Sequence, residues 1–186
     1  MLSLKPVSRK ERRSEEAKAK PLVGVKRTLM VFHLARQAYA IPLAELQEIV
    51  PLALLSRPPG LPSVLAGFLN LGGTAVPVLR LDRLFDLPEL TPGLYTPLMI
   101  LRNPDQHVAL MVETVSRIIA VPEESLLPVR ESQTFNDCAE GMVMVDGHVI
   151  LLLSPERILL EKEQQCLAEF QDKEQARLHE LESSRL

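Results

Sequence analysis

Fifteen prolines punctuate this chain, and that alone excludes a bundle of long helices over most of its length. Proline removes a backbone donor and breaks a helix interior, so the segments between Pro42, Pro51, Pro58, Pro59, Pro62 and Pro77, and again between Pro97, Pro104, Pro122 and Pro128, must be short strands or loops. Those intervals are apolar. The hydrophobic share is 46% with only 4% aromatic residues and no Trp, so the core has to be built from Leu, Val, Ile and Ala. That richness also excludes a chain too polar to fold. After Pro155 no Gly or Pro follows, and the character changes.

Periodicity and turn signals give a run of short strands. Thr28–Leu34 and Tyr39–Ile41 flank a turn at Arg36-Gln37, and Glu45–Pro51 continues extended. Val64–Leu71 and Ala75–Leu81 flank Gly72-Gly73, with a short helical turn at Leu81–Phe85. Leu98–Leu101, His107–Val112 and Val115–Val121 follow. Met142–Val145 and His148–Leu153 flank Asp146-Gly147, a two-residue hairpin signal because both positions favour positive φ. Ser154-Pro155-Glu156 then reads as an N-cap, a first-turn proline and an acid opening a helix of about 25 residues. Its apolar positions (Leu160, Leu167, Phe170, Leu178, Leu181) follow a heptad only loosely, so the part up to Leu160 is expected to pack on the body. The rest is expected to be solvated or to bind a partner.

The body repeats itself. Tyr39-Ala40-Ile41 leads into Leu46-Gln47-Glu48-Ile49-Val50-Pro51 as Val108-Ala109-Leu110 leads into Val115-Ser116-Arg117-Ile118-Ile119-Ala120-Val121-Pro122. Likewise Ala75–Leu84 resembles His148–Leu159, matching Val76 with Val149. A two-fold repeat of short strands with many turns predicts two small barrels rather than one sandwich.

Charge divides the chain. Residues 1–27 hold nine Lys/Arg against three Asp/Glu, a net +6; residues 28–154 hold seven against thirteen, a net −6; residues 155–186 hold five against eight, a net −3. The first segment has little to bury and reads as a flexible basic arm. It lacks aromatic residues to stack on bases, which argues for a solubilising or partner-docking tail over a nucleic-acid site. No apolar run approaches the ~18 residues of a spanning helix, and the N-terminus lacks a signal-peptide pattern. Cys138 and Cys166 fit reduced thiols, so the expectation is a soluble cytoplasmic protein that meets a membrane only indirectly.

Reactive chemistry is not legible. His33, His107, His148 and His179 are scattered and read as surface or strand-face residues. The cysteines have no metal-ligand spacing, and Asn136-Asp137-Cys138 carries no nucleophile signature. Gly72-Gly73 lacks the Lys-Ser/Thr of a phosphate cradle. Glu45 with Glu48, and Glu123 with Glu124, read as solvated carboxylates. The expectation is a binding module with no catalytic residue, metal, cofactor or small-molecule substrate.

Several stretches then fall together in one order. Phe32-x-Leu34, Tyr39-Ala40-Ile41-Pro42-Leu43-x-x-Leu46-x-Glu48-Ile49 and Pro59-Gly60-Leu61-Pro62-x-x-Leu65-x-Gly67-Phe68-Leu69-Asn70-Leu71-x-Gly73-x-x-Val76-Pro77-Val78-x-x-Leu81, with Val112-x-x-Val115 and Gly141–Leu160, resemble the CheW-like family of chemotaxis coupling proteins. The resemblance covers about residues 28–160 and leaves the basic arm and the distal helix unexplained. It implies an all-β fold of two SH3-like five-stranded β-barrels, the first about 28–95 and the second about 96–153, to which the residues themselves add the C-terminal helix or tail at 155–186. It implies an adaptor between a CheA-type histidine kinase, whose regulatory domain has the same fold, and the cytoplasmic helical hairpin of chemoreceptors. By motif match, the receptor groove would be approached by Leu46, Gly72 and Val115, and a kinase-facing surface would use Tyr39, Glu48 and Val50. Two positions depart from the family pattern: Gly72 stands where Arg is usual, and Arg80 where Asp is frequent. Losing the Arg removes a multidentate donor toward a receptor carboxylate; the plainer reading of both changes is neutral drift. The alternative is a CheW-like scaffold outside chemotaxis, using the basic arm on an acidic partner, a nucleic acid or a membrane surface.

Overall fold

A computed structural model describes residues 25–102, 107–129, 137–159 and 161–183. The expected basic arm therefore lies almost wholly outside the described residues. Its last two residues do not belong to an arm: β1 (Lys26–Leu34) starts there, and Arg27 pairs with Glu140 at 2.8 Å.

The chain continues through β2 (Gln37–Pro42), β3 (Leu46–Pro51), β4 (Leu65–Leu71), β5 (Thr74–Arg80), α1 (Leu81–Leu84), β6 (Pro97–Leu101), β7 (Ala109–Met111), β8 (Thr114–Pro122), β9 (Ala139–Val145), β10 (His148–Leu153) and α2 (Glu161–Ser183). The Gly72-Gly73 and Asp146-Gly147 turns form as their residues predict, each with two consecutive positive φ angles. The first turn falls at Ala35-Arg36, one residue earlier than expected.

The strands form two five-stranded sheets, β8-β1-β2-β10-β9 (sheet A) and β3-β6-β7-β5-β4 (sheet B). This corrects the boundary at 95/96. Sheet A combines the first two strands with the last three, and sheet B takes the five between. The cause is an exchange. In each repeat the hairpin (β1–β2 or β6–β7) joins one sheet while the three following strands join the other, and the halves meet at parallel seams β2–β10 and β7–β5 and at antiparallel pairs β1–β8 and β6–β3. The two sheets have the same connectivity, with β1, β2, β10, β9 and β8 matching β6, β7, β5, β4 and β3.

Register corrects the repeat as well. Ala40 faces Leu152 across one seam and Ala109 faces Val78 across the other, so Val76 matches Ile150 rather than Val149. Both faces of these strands are largely apolar, and a period-two pattern that is apolar on both faces cannot fix register.

Neither sheet closes into a continuous barrel. The gap is spanned by one bridge in each: Ser56–Phe68 in sheet B and Leu127–Met142 in sheet A. Proline limits both. Pro51 and Pro122 end β3 and β8, and Pro58 and Pro128 follow soon after the bridging residues. The close approach at the first bridge needs glycine. Gly67 has φ +148°, and a Cβ there would lie 2.6 Å from the Ser56 carbonyl oxygen.

Alternation along the strands fills three apolar clusters. Leu29, Val31 and Ala40 line the inner face of sheet A with Ile150 and Leu152. Val76, Val78, Leu98 and Ile100 do the same in sheet B. Met30, Phe32, Tyr39 and Ile41 point the other way, into a central cluster with Leu79, Met99 and Leu110 that joins the sheets. Burying each large aliphatic side chain stabilises by about 1.5–3 kcal/mol, so the central cluster binds the two sheets as one body.

The helix expected from Ser154 does not start there. Pro155–Arg157 is a single 3-10 turn, and the Ser154 hydroxyl caps nothing. The Ser154 N–H instead bonds the Cys138 carbonyl at 2.8 Å, and Ile158 is buried in the central cluster, which holds the chain close to the sheets until α2 begins at Glu161.

Candidate functional site

The described residues hold no group of three or more His, Cys, Asp or Glu placed to bind a metal. Cys138 is buried beside Asp137, and burial pushes its thiol up to about 11, the wrong direction for a nucleophile at neutral pH. What the molecule presents is surface: strand edges, one turn and an applied helix.

Leu46 and Val115 occupy matching positions in the two repeats. Leu46 opens β3 opposite Leu101 and lies in the central cluster; Val115 lies on β8 opposite Phe32 and is half-buried against the same cluster. These two expected groove residues thus border one cluster, the one that joins the sheets. Gly72 is elsewhere, exposed at the β4–β5 turn with φ +58°, and a Cβ there meets nothing within 4 Å.

The second expected set is split. Tyr39 is 6% exposed on β2 of sheet A, its ring stacked on Phe32 and tilted against Phe85, each centroid 5.8 Å away. Burial, with the nearby Cys138, raises its phenol pKa. Glu48 and Val50 lie on β3, at the edge of sheet B. Glu48 is exposed, and Val50 is half-buried against the sheet's inner cluster. Ile49 between them is exposed, and Gln47 makes a bulge against β6. A bulged edge strand carrying a charge is a surface that resists open-ended pairing yet leaves a defined edge for one partner.

Arg80 is structural. It is buried, donates from Nε to Asp82 Oδ1 at 2.8 Å and from Nη2 to Asp82 Oδ2, and gives a further bond from Nη2 to the Leu90 carbonyl at 2.8 Å. Asp82 accepts the Leu90 N–H at 2.8 Å. The pair fastens the Asp86–Thr96 connection to α1. Burial alone would raise the Asp82 pKa, but the Arg80 and Leu90 hydrogen bonds and the Arg80 charge outweigh it and hold the carboxyl below its ordinary value. Arg80 therefore replaces the family's frequent Asp without presenting a new group to a partner.

The docking of α2 is not legible in its periodicity. Leu167 enters the central cluster and Leu178 is half-buried, but the bonds between them to sheet B are polar. β7 is three residues long and pairs with β5 only at Val78–Arg80, so the earlier backbone of β5, paired with β4 on one side, has no described strand on the other. Two glutamines one helical turn apart supply what a strand would. Gln175 accepts from the Ala75 N–H (2.8 Å) and donates to the Gly73 carbonyl (2.8 Å), while Gln171 donates to the Ala75 carbonyl (3.0 Å). The buried Glu174 accepts the Ser56 hydroxyl hydrogen at 2.6 Å, and Arg177 donates to Ser56 Oγ at 2.8 Å. α2 thus lies alongside the Gly72-Gly73 turn.

Two interleaved five-stranded sheets, with an exposed edge strand at β3 and a C-terminal helix laid on one face, define a two-sheet β module. The chain belongs to the CheW-like domain family, whose model matches residues 28–163. It is 24% identical over 142 residues to a probable chemotaxis protein CheW of Rhizobium etli, covering 75% of this chain and 92% of that protein. It is 26% identical over 129 residues to the chemotaxis protein CheW of Helicobacter pylori, covering 69% and 78%. The crystal structure of the scaffolding protein TtCheW from Thermoanaerobacter tengcongensis shares the fold with a TM-score of 0.68 at 22% identity, over 77% of this chain and 94% of that one.

Proposed function

We propose that this protein is a non-catalytic cytoplasmic adaptor in chemotaxis signalling, coupling chemoreceptors to a CheA-type histidine kinase. Each sheet with its closing bridge acts as an SH3-like barrel. The receptor's helical hairpin enters between the sheets near Leu46 and Val115, and the kinase's regulatory domain takes the β3 edge at Glu48, Ile49 and Val50. The observation that carries this reading is the family match over residues 28–163 together with the exchanged two-sheet topology, which sets Leu46 and Val115 on one cluster. Tyr39 supports that cluster from within rather than touching the kinase. With residues 1–24 outside the described residues, nothing favours a separate role for the basic arm.

Titration of the full chain against the cognate kinase's regulatory domain and against a receptor cytoplasmic fragment tests this. Both should bind at micromolar concentration. Glu48→Lys, on an exposed side chain, should weaken the kinase alone. Gly72→Arg, at an exposed turn where φ +58° strains any side chain but a Cβ meets nothing within 4 Å, should strengthen the receptor alone. Absence of kinase binding at micromolar concentration overturns the proposal.

A further inference from the structure

The two-fold relation between the sheets exposes an uncovered counterpart of the α2 site. Register fixes the match: Val149 corresponds to Ala75, Met144 to Asn70 and Met142 to Phe68, and the bridge Leu127–Met142 corresponds to Ser56–Phe68. On sheet B this face lies under α2. Ala75 is fully buried and bonded to the helix glutamines, and Phe68 is buried. On sheet A no described element covers the same face. Met144 and Val149, cross-strand partners, are 66% and 42% exposed. We propose that this outer face of β9–β10 is a second helix-docking site, for a helix of another protein that carries an apolar ridge and an acidic flank.

The chemistry of the occupant follows from how the two faces differ. Sheet B needs a helix with amides, because β7 stops short and leaves Ala75 and Gly73 unpaired. On sheet A β2 likewise pairs with β10 over only three residues, Ile150–Leu152, but β2 supplies its own amide: Gln37 Nε2 donates to the Val149 carbonyl at 3.3 Å. A helix laid there finds that carbonyl already bonded and meets methyl and thioether groups, so its contact side must be apolar. This also disfavours α2 of a second copy, whose docking side is Gln171, Glu174 and Gln175. Charge sets the flank. At the same end of sheet A, and sharing Val149 with the face, a cavity of about 400 Å³ opens between His33, Arg36, Arg117 and His148 over Val31 and Ile150. Arg117 is neutralised by Asp146 at 3.0 Å, which leaves the exposed Arg36 as the positive charge of the rim. A helix running outward along β10, as α2 runs along β5, brings its flank to this rim.

Methyl NMR of the full chain, titrated with a designed peptide helix bearing a leucine ridge and a glutamate flank, tests the site. Saturable shifts are expected at Met144 and Val149 and none at Ala75. A peptide with lysine flanks should bind about tenfold or more weakly, a difference of about 1.4 kcal/mol. Met144→Lys should abolish the shifts, and Met144→Ser should weaken them, both with unchanged thermal unfolding since the side chain is exposed. Failure to saturate, equal binding of the two peptides, or shifts centred on Ala75 and α2 overturns the proposal.

Discussion

Arg80 shows how a residue can look functional from its type and prove structural from its surroundings. An arginine where relatives often place an acid suggests an altered partner surface. Its guanidinium is instead spent on Asp82 and the Leu90 carbonyl, out of solvent. Removing one member of a buried pair leaves the other uncompensated, so Arg80→Met should destabilise by about 3–5 kcal/mol in urea unfolding. The pH dependence carries the signature. Asp82 titrates below its ordinary value in the folded chain, so its stabilising contribution is complete above the unfolded value of about 3.9 and is lost as pH falls through the lower folded one. The stability gap between wild type and Arg80→Met should therefore narrow below about pH 4. A gap independent of pH would contradict the pairing.

At the scale of elements, α2 is the case where periodicity misleads. A loose heptad implies an apolar docking stripe. Of the positions Leu167, Phe170, Leu178 and Leu181, only Leu167 is deeply buried and Leu181 is exposed. The true docking side is Leu167, Gln171, Glu174, Gln175 and Leu178, legible as one helix face but not as a contact, because its match is the unpaired backbone of β5. Gln175→Ala leaves the Ala75 N–H without its partner and should cost about 1–3 kcal/mol of local stability. Amide exchange at Ala75 should quicken, with exchange in β1 and β6 unchanged; an unaltered Ala75 amide would show that α2 does not hold this edge.

For the whole molecule, the exchange of hairpins means that no cut of the chain respects the sheets. Residues 1–95 lack β8, β9 and β10 of sheet A and β6 and β7 of sheet B; residues 96–186 lack the complements. Each half exposes one side of both parallel seams and of the β1–β8 and β3–β6 pairs, with its share of the central cluster. Expressed separately, neither should show cooperative thermal unfolding, and mixing should restore it by reforming both seams. Independent folding of either half would mean that the seams are dispensable. The same interlock explains why Leu46 and Val115, 69 residues apart in sequence, border one cluster: each follows a hairpin and crosses to the other sheet there.

Local physics alone determined much of this protein. The turns at Gly72-Gly73 and Asp146-Gly147, the short strands between prolines, the repeat and the family resemblance all rest on neighbours within a few residues, where φ preferences and side-chain alternation act. Tertiary structure decided the rest. Which sheet each strand joins, the one-residue register of the repeat, the burial of Tyr39 and Arg80, and the partner of α2 depend on backbone groups far apart in the chain. Strands apolar on both faces, with open hydrogen-bonding edges, accept more than one arrangement locally, and only simultaneous packing of both sheets on the central cluster selects one.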